Sequence, residues 1–213
     1  MTDPTPSITL AIEASIEGGS VALFNGSDRI DGTVESTGVS RAEDILPTID
    51  RLLSRNDLNV GSLSDVIVGA GPGSFTGIRI GISTAMGIAA AVKIPVRRFS
   101  SLEALACAAD TAGPLTVALP VGRGMVCVQE FNGNSGGVMP TTDPLPLTYE
   151  EFARLVSTQP LRTFVVSDSI FQRSDIRIRD EMINVGNDLA SLFGRFAAKL
   201  TDIDTPLFIA KAK

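Results

Sequence analysis

The chain has 213 residues, 44% hydrophobic and 20% charged, with a formal net charge of −6 and no histidine. That composition supplies one or two ordinary domain cores. The missing imidazole removes the usual general base and the commonest metal ligand, and the acidic balance argues against an autonomous nucleic-acid binder. With Cys107 and Cys127 as the only thiols, no zinc spacing, Ser-His-Asp site or Cys-His site can be assembled. Two cysteines outside any framework point to a reducing compartment, by default the cytoplasm.

The opening Met1-Thr2-Asp3-Pro4-Thr5-Pro6-Ser7 has no basic n-region and no apolar h-region, so it reads as a lead-in and not a signal peptide. Alternation and turn residues then predict a strand over Ser7–Ser15, a turn through Glu17-Gly18-Gly19, a strand over Ser20–Phe24, a turn at Asn25-Gly26 and a third strand near Gly32–Ser36. A helix is predicted from Ser40, where Ser40-Arg41-Ala42-Glu43 has capping-box spacing and Ile45, Leu46, Ile49, Leu52 and Leu53 share one face. Pro47 is expected to kink it. A strand follows at 65–69, then a glycine-rich run and a small-residue helix over 75–92. Next come a strand around Ile94–Phe99 and a helix beginning Ser100-Ser101-Leu102-Glu103, so the order is βββαβαβα. The longest uncharged stretch, Ile80 to Val92, falls short of the roughly 20 apolar residues that span a bilayer, so no membrane role is expected.

The run Gly69-Ala70-Gly71-Pro72-Gly73-Ser74-Phe75-Thr76-Gly77 joins the strand Asp65-Val66-Ile67-Val68 to that helix. A glycine turn at a helix N-terminus suits a phosphate or the close approach of another backbone. Neither phosphate fingerprint fits, because no lysine occurs until Lys93 and the dinucleotide spacing breaks at Thr76. A functional turn and a structural turn both remain open on these residues.

A second copy of the opening is legible further on. Setting Ile8–Gly26 beside Leu115–Gly133 without a gap matches Thr9/Thr116, Ala11/Ala118, Val21/Val128, Phe24/Phe131, Asn25/Asn132 and Gly26/Gly133. This is either an internal duplication or shared hairpin chemistry. Pro140, Pro144 and Pro146 then mark a loop, Leu147–Val156 a helix, Arg162–Ser167 a strand and Asn187–Leu200 a final amphipathic helix.

Glu13, at the end of the first strand, is the carboxylate best placed to hold a metal or water beside the turn, and the alignment sets Pro120 opposite it. On the helix over 75–92, Gly77, Gly81 and Ala85 fall at four-residue spacing and flatten one face. Each interior glycine costs roughly 0.5–1 kcal/mol relative to alanine, so close approach of another backbone is expected there. That backbone belongs either to this protein's own sheet or to a partner.

Leu10-Ala11-Ile12-Glu13-Ala14-Ser15, Ser20-Val21-Ala22-Leu23, Ile45-Leu46-Pro47, Gly71-Pro72-Gly73-Ser74-Phe75-Thr76-Gly77-Ile78-Arg79-Ile80-Gly81 and Ser100-Ser101-Leu102 together resemble the TsaB (YeaZ) family. Its members are bacterial partners of TsaD, the tRNA threonylcarbamoyl transferase. The resemblance runs over 8–105 and through the second hairpin. It implies an α/β fold of the actin-like ATPase, sugar-kinase and Hsp70 class, with an N-terminal lobe over 1–110 and a shorter, degenerate lobe over 111–213. It also implies a non-catalytic role. The histidine pair with which TsaD-like enzymes hold a metal corresponds here to Ser101 and Leu105. Glu13 replaces the family's aspartate, Pro120 an acidic residue of the second hairpin, and Arg41 a histidine.

The resemblance further implies a scaffold subunit for N6-threonylcarbamoyladenosine formation at position 37 of tRNA. It would carry no cofactor and would bind ATP weakly or not at all by itself. A TsaD-like subunit would do the chemistry, a TsaE-like ATPase would join the larger complex, and tRNA would be met only through that complex. The expected docking residues are Ile45, Ile49, Leu53, Gly77, Gly81 and Ala85. Two alternatives stand beside this reading. One is a phosphotransferase or glycoprotease-like hydrolase of the same fold using Glu13; the other is a homodimer closing its own helices.

Overall fold

The computed structural model describes residues 7–16, 19–34, 44–159, 161–172, 182–204 and 207. Its first half runs β1 (Ile8–Glu13), β2 (Ser20–Asn25), β3 (Asp28–Val34), α1 (Ile45–Ser54), β4 (Leu63–Gly69), α2 (Phe75–Val92), β5 (Val96–Phe99) and α3 (Ser101–Ala108). The second half repeats that order with one added strand. It contains β6 (Gly113–Gly122), β7 (Met125–Asn134), β8 (Gly137–Pro140), the added β9 (Leu145–Thr148), α4 (Tyr149–Thr158), β10 (Thr163–Val166), α5 (Asp168–Phe171), β11 (Met182–Asn184) and α6 (Leu189–Phe196).

Both sheets have the same strand order, β3-β2-β1-β4-β5 and β8-β7-β6-β10-β11. In each, an antiparallel hairpin is extended by parallel strands, whose crossovers require the intervening helices. Outside, α1 and α2 cover the first sheet and α4 and α5 lie on the second. Between the sheets the last helix of each half is exchanged: α3 packs on β6, β7 and β8, and α6 packs on β1, β2 and β4. The central core therefore mixes Ala11, Phe24, Leu105, Val117, Phe131 and Phe193 from both halves. Burying each of these large side chains contributes about 1.5–3 kcal/mol, so the exchange ties the two sheets together.

Local chemistry explains the element ends. The Ser74 side chain caps α2 by accepting from Gly77 N, and Lys93 closes it in the left-handed region at φ 59. Ser100 caps α3, but Glu103 does not complete the expected capping box; its carboxylate instead accepts from Thr201 N and from Thr201 Oγ1 at 2.9 Å. Pro47 lies in the first turn of α1, where its missing N–H has no intrahelical acceptor, so the predicted mid-helix kink has no cause. The Ser40 capping box and Arg41 lie outside the described residues. The proline-marked loop instead contains β8 and β9; Pro146 is accommodated in β9 because that strand pairs only with β7 and so lies at an edge.

The repeat is real in topology, and the gapless alignment is off by one on its first strand. Ile8, Leu10 and Ile12 face the outer core with α1 and α2, whereas Leu115, Val117 and Leu119, aligned with them, face the central core. Pairing locates the slip: Glu13 faces Ser20, and the equivalent pair is Leu119 with Cys127. A slip of one residue exchanges the faces of a strand. The structural counterpart of Glu13 is thus Leu119 and not Pro120, which sits at the bulge beyond it.

Candidate functional site: the glycine turn and the outer helix pair

The glycine turn is filled by the chain itself. Ser74 N donates to Ser15 O at 2.7 Å, Ser101 N to Gly71 O at 2.8 Å, and Leu207 N to Ala70 O at 2.8 Å. A Cβ built on Gly73 would lie 2.5 Å from Ser15 O, and one on Gly77 only 2.0 Å from Ala14 O. These glycines let the loop after β1 lie directly on the start of α2. The backbone of Ala14 and Ser15 therefore lies directly against the glycine run, and the close approach needs no bound ligand to explain it.

Glu13 is equally enclosed. Its Oε2 accepts from Ser101 Oγ at 2.8 Å and its Oε1 accepts from Ser15 N. A Cβ on Gly69 would meet Oε2 at 2.2 Å, and the Phe193 ring of α6 closes the same space. Burial pushes the Glu13 carboxyl above its ordinary value, against the opposing hydrogen bonds from Ser15 and Ser101. At the two positions matching metal-binding histidines, Ser101 spends its hydroxyl on Glu13 and Leu105 is fully buried in the central core. The residues present do not fit a metal there. Burial also raises the thiols of Cys107, to about 11, and Cys127, to about 12, far from a nucleophilic thiolate.

The six residues expected to dock a partner are all turned inward. Ile45, Ile49, Leu53 and Ala85 belong to the core between the first sheet and its own helices. Gly77 lies against Ala14, and a Cβ on Gly81 would stand 3.3 Å from Ala14 Cβ and 3.5 Å from Val68 Cγ2. The close approach read from their spacing is therefore made to β1 and β4. What the helices show outward is different and mixed: Leu46, Pro47, Asp50, Arg51 and Ser54 on α1, and on α2 Phe75, Arg79, Ser83, Met86 and Gly87 with Thr76, Ala90 and Ala91. Phe75, Arg79, Ser83 and Gly87 recur at four-residue spacing, the period that lines up one face of a helix, and the Arg79 guanidinium lies 5.1 Å from the Phe75 ring centre. By length and composition α2 could cross a bilayer, yet 33% of it is buried, and that face packs on the sheet.

Two sheets of one strand order with exchanged inner helices define a protein of the actin-like ATPase, sugar-kinase and Hsp70 fold class. The family model for TsaD, tRNA N6-adenosine threonylcarbamoyltransferase, matches residues 35–164. Among curated proteins, the tRNA threonylcarbamoyladenosine biosynthesis protein TsaB of Haemophilus influenzae is 38% identical over 102 residues, 47% of this chain and 42% of that protein. The Escherichia coli TsaB is 32% identical over 136 residues, 61% of this chain and 57% of its own length. The chain thus matches about half the length of these relatives. The solved structure of YeaZ from Pseudomonas aeruginosa superposes with a TM-score of 0.70 at 23% identity, covering 96% of this chain and 99% of that one. The chain belongs to the family of the TsaD model.

Proposed function

We propose that this protein is a non-catalytic subunit of the cytoplasmic assembly that makes N6-threonylcarbamoyladenosine at position 37 of tRNA. It binds a TsaD-like transferase subunit through the outward faces of α1 and α2. In this reading residues 1–110 form the docking lobe and 111–213 the smaller lobe that buttresses it. A TsaE-like ATPase and the tRNA are met only in the larger complex. The observation that carries the reading is the uncovered apolar face of the longest helix. Phe75 and Met86 are 56% and 57% exposed on α2, and Leu46 is 57% exposed on the neighbouring α1. Apolar side chains grouped on adjoining helices mark an interaction surface. The enclosed Glu13 and the filled glycine turn support a structural role over an enzymatic one.

Calorimetric titration with a TsaD-like subunit tests this. Phe75→Asp with Met86→Asp should weaken binding at least 100-fold while leaving the melting temperature unchanged, because charges at the centre of an interface are buried unpaired. Unchanged affinity in the folded double variant removes α2 from the interface. The same face could be covered by a second copy when the partner is absent, and sedimentation of the chain alone distinguishes that state.

A further inference from the structure

The outer face of the second sheet carries a separate groove of about 570 Å³, between α4 and β9, that the reading above does not use. Val128, Leu145, Leu147 and Leu155 give it an apolar lining. It exists because, among the described residues, this face is covered by α4 and the single turn of α5, where the first sheet has the long α2. Leu145 is 55% exposed. Around the groove stand Glu130, Asp143, Glu150 and Glu151 against Arg154 and Arg162. Arg162 pairs with Glu130 at 3.0 Å and Arg154 with Glu150 at 3.3 Å, which leaves Asp143 and Glu151 as excess negative charge.

We propose that this groove docks a basic amphipathic segment of a partner protein, its apolar side chains entering beside Leu145 and Leu155 and its Lys or Arg residues meeting Asp143 and Glu151. The chemistry of the walls selects this occupant. Neutral groups in the walls that could orient a small polar ligand are already spent: Gln129 Nε2 donates to Thr142 O at 2.9 Å, and Thr116 Oγ1 accepts from Arg162 Nε at 2.6 Å. A second copy would bring its own acidic rim against this one, and nucleic acid would meet the same repulsion.

The test uses two synthetic helical peptides with identical leucine spacing, one carrying lysine and the other glutamate on the polar face. They are titrated into the full chain bearing Phe75→Asp and Met86→Asp, which removes the other apolar face, so failure of the TsaD-docking reading is scored separately. The lysine peptide should bind with amide shifts at Leu145, Leu147 and Leu155, and at least tenfold more tightly than the glutamate peptide. Leu145→Ser and Asp143→Lys should each weaken it at least fivefold, whereas Asp28→Lys, the same charge change on the β2–β3 turn, should not. Equal affinity for the two peptides, equal losses from Asp28→Lys and Asp143→Lys, or self-association abolished by Leu145→Ser would each overturn the proposal. Both groove positions are exposed, so the variants fold, and circular dichroism checks that they do.

Discussion

The inner and outer faces of the two sheets are built differently. Inside, α3 and α6 are exchanged so that each half supplies the helix that covers the other, and both strand orders are the same. Outside, the first sheet has an 18-residue helix, α2, where the second has a four-residue α5. A duplicated frame tolerates divergence where a face meets only solvent or a partner, and resists it where two halves interdigitate at crystal-like density.

Breaking the interior should therefore cost most. Phe193→Ala on α6 removes a fully buried ring from the central core beside Gly69 and Glu13, and should destabilise by about 3–5 kcal/mol in chemical denaturation. A loss under about 1 kcal/mol would mean that the halves do not depend on the exchanged helix.

Two glycines on α2 sharpen the contrast within one element. Gly77→Ala drives a Cβ to 2.0 Å from Ala14 O, which is backbone and cannot rotate away, so we expect a loss of about 1–3 kcal/mol or more. Gly87→Ala meets nothing within 4 Å and should raise stability by roughly 0.5–1 kcal/mol, because alanine is the better helix residue. Denaturation midpoints of the same sign for both would erase the distinction between the two faces.

The pH dependence of the interior follows from Glu13. Burial raises its carboxyl above the ordinary 4.5, so the folded chain keeps that proton to higher pH than the unfolded chain does. Stability from this group is full below 4.5 and falls as pH rises through the folded value. Glu13→Gln should remove that fall, and melting temperatures measured upward from pH 4.5 should decline less steeply in the variant.

The smallest effect belongs to the exposed pair Arg55 and Asp31, where Arg55 Nη2 donates to Asp31 Oδ1 at 2.7 Å. The guanidinium holds the Asp31 carboxyl down at about 2. Its stabilisation is present above the ordinary 3.8 and fades as pH falls towards 2. Arg55→Ala should cost about 0.2–1 kcal/mol at neutral pH and let Asp31 titrate nearer its ordinary value by NMR.

The limits of sequence reasoning show in particular residues. The start of α2 was legible from the glycine-rich run before it, and the first hairpin from alternating strands followed by the Asn25-Gly26 turn, whereas Asn132-Gly133 lies inside β7. The spacing of Gly77, Gly81 and Ala85 announces a close approach, and that approach is made to the chain's own sheet at Ala14 and Val68. Periodicity defines a face without saying where that face points. The better signal for an outer surface was the opposite stripe, Phe75, Arg79, Ser83 and Gly87, mixed in chemistry and therefore inconspicuous. The groove beside Leu145 left no pattern at all, since its walls on β7, β9 and α4 meet only in the folded chain.

By itself, the sequence determined the order of elements in the first half, the Ser100 cap of α3, the absence of imidazole chemistry and the family, since each depends on residue identity or on neighbours a few positions apart. Only the tertiary structure decided which side of α2 is buried, that Leu119 and not Pro120 answers Glu13, and that backbone from Ala14 and Ser15 fills the glycine turn. The physical reason is common to all three. Register and facing are set by packing between segments far apart in the chain, where a shift of one residue reverses every side chain while leaving local preferences unchanged.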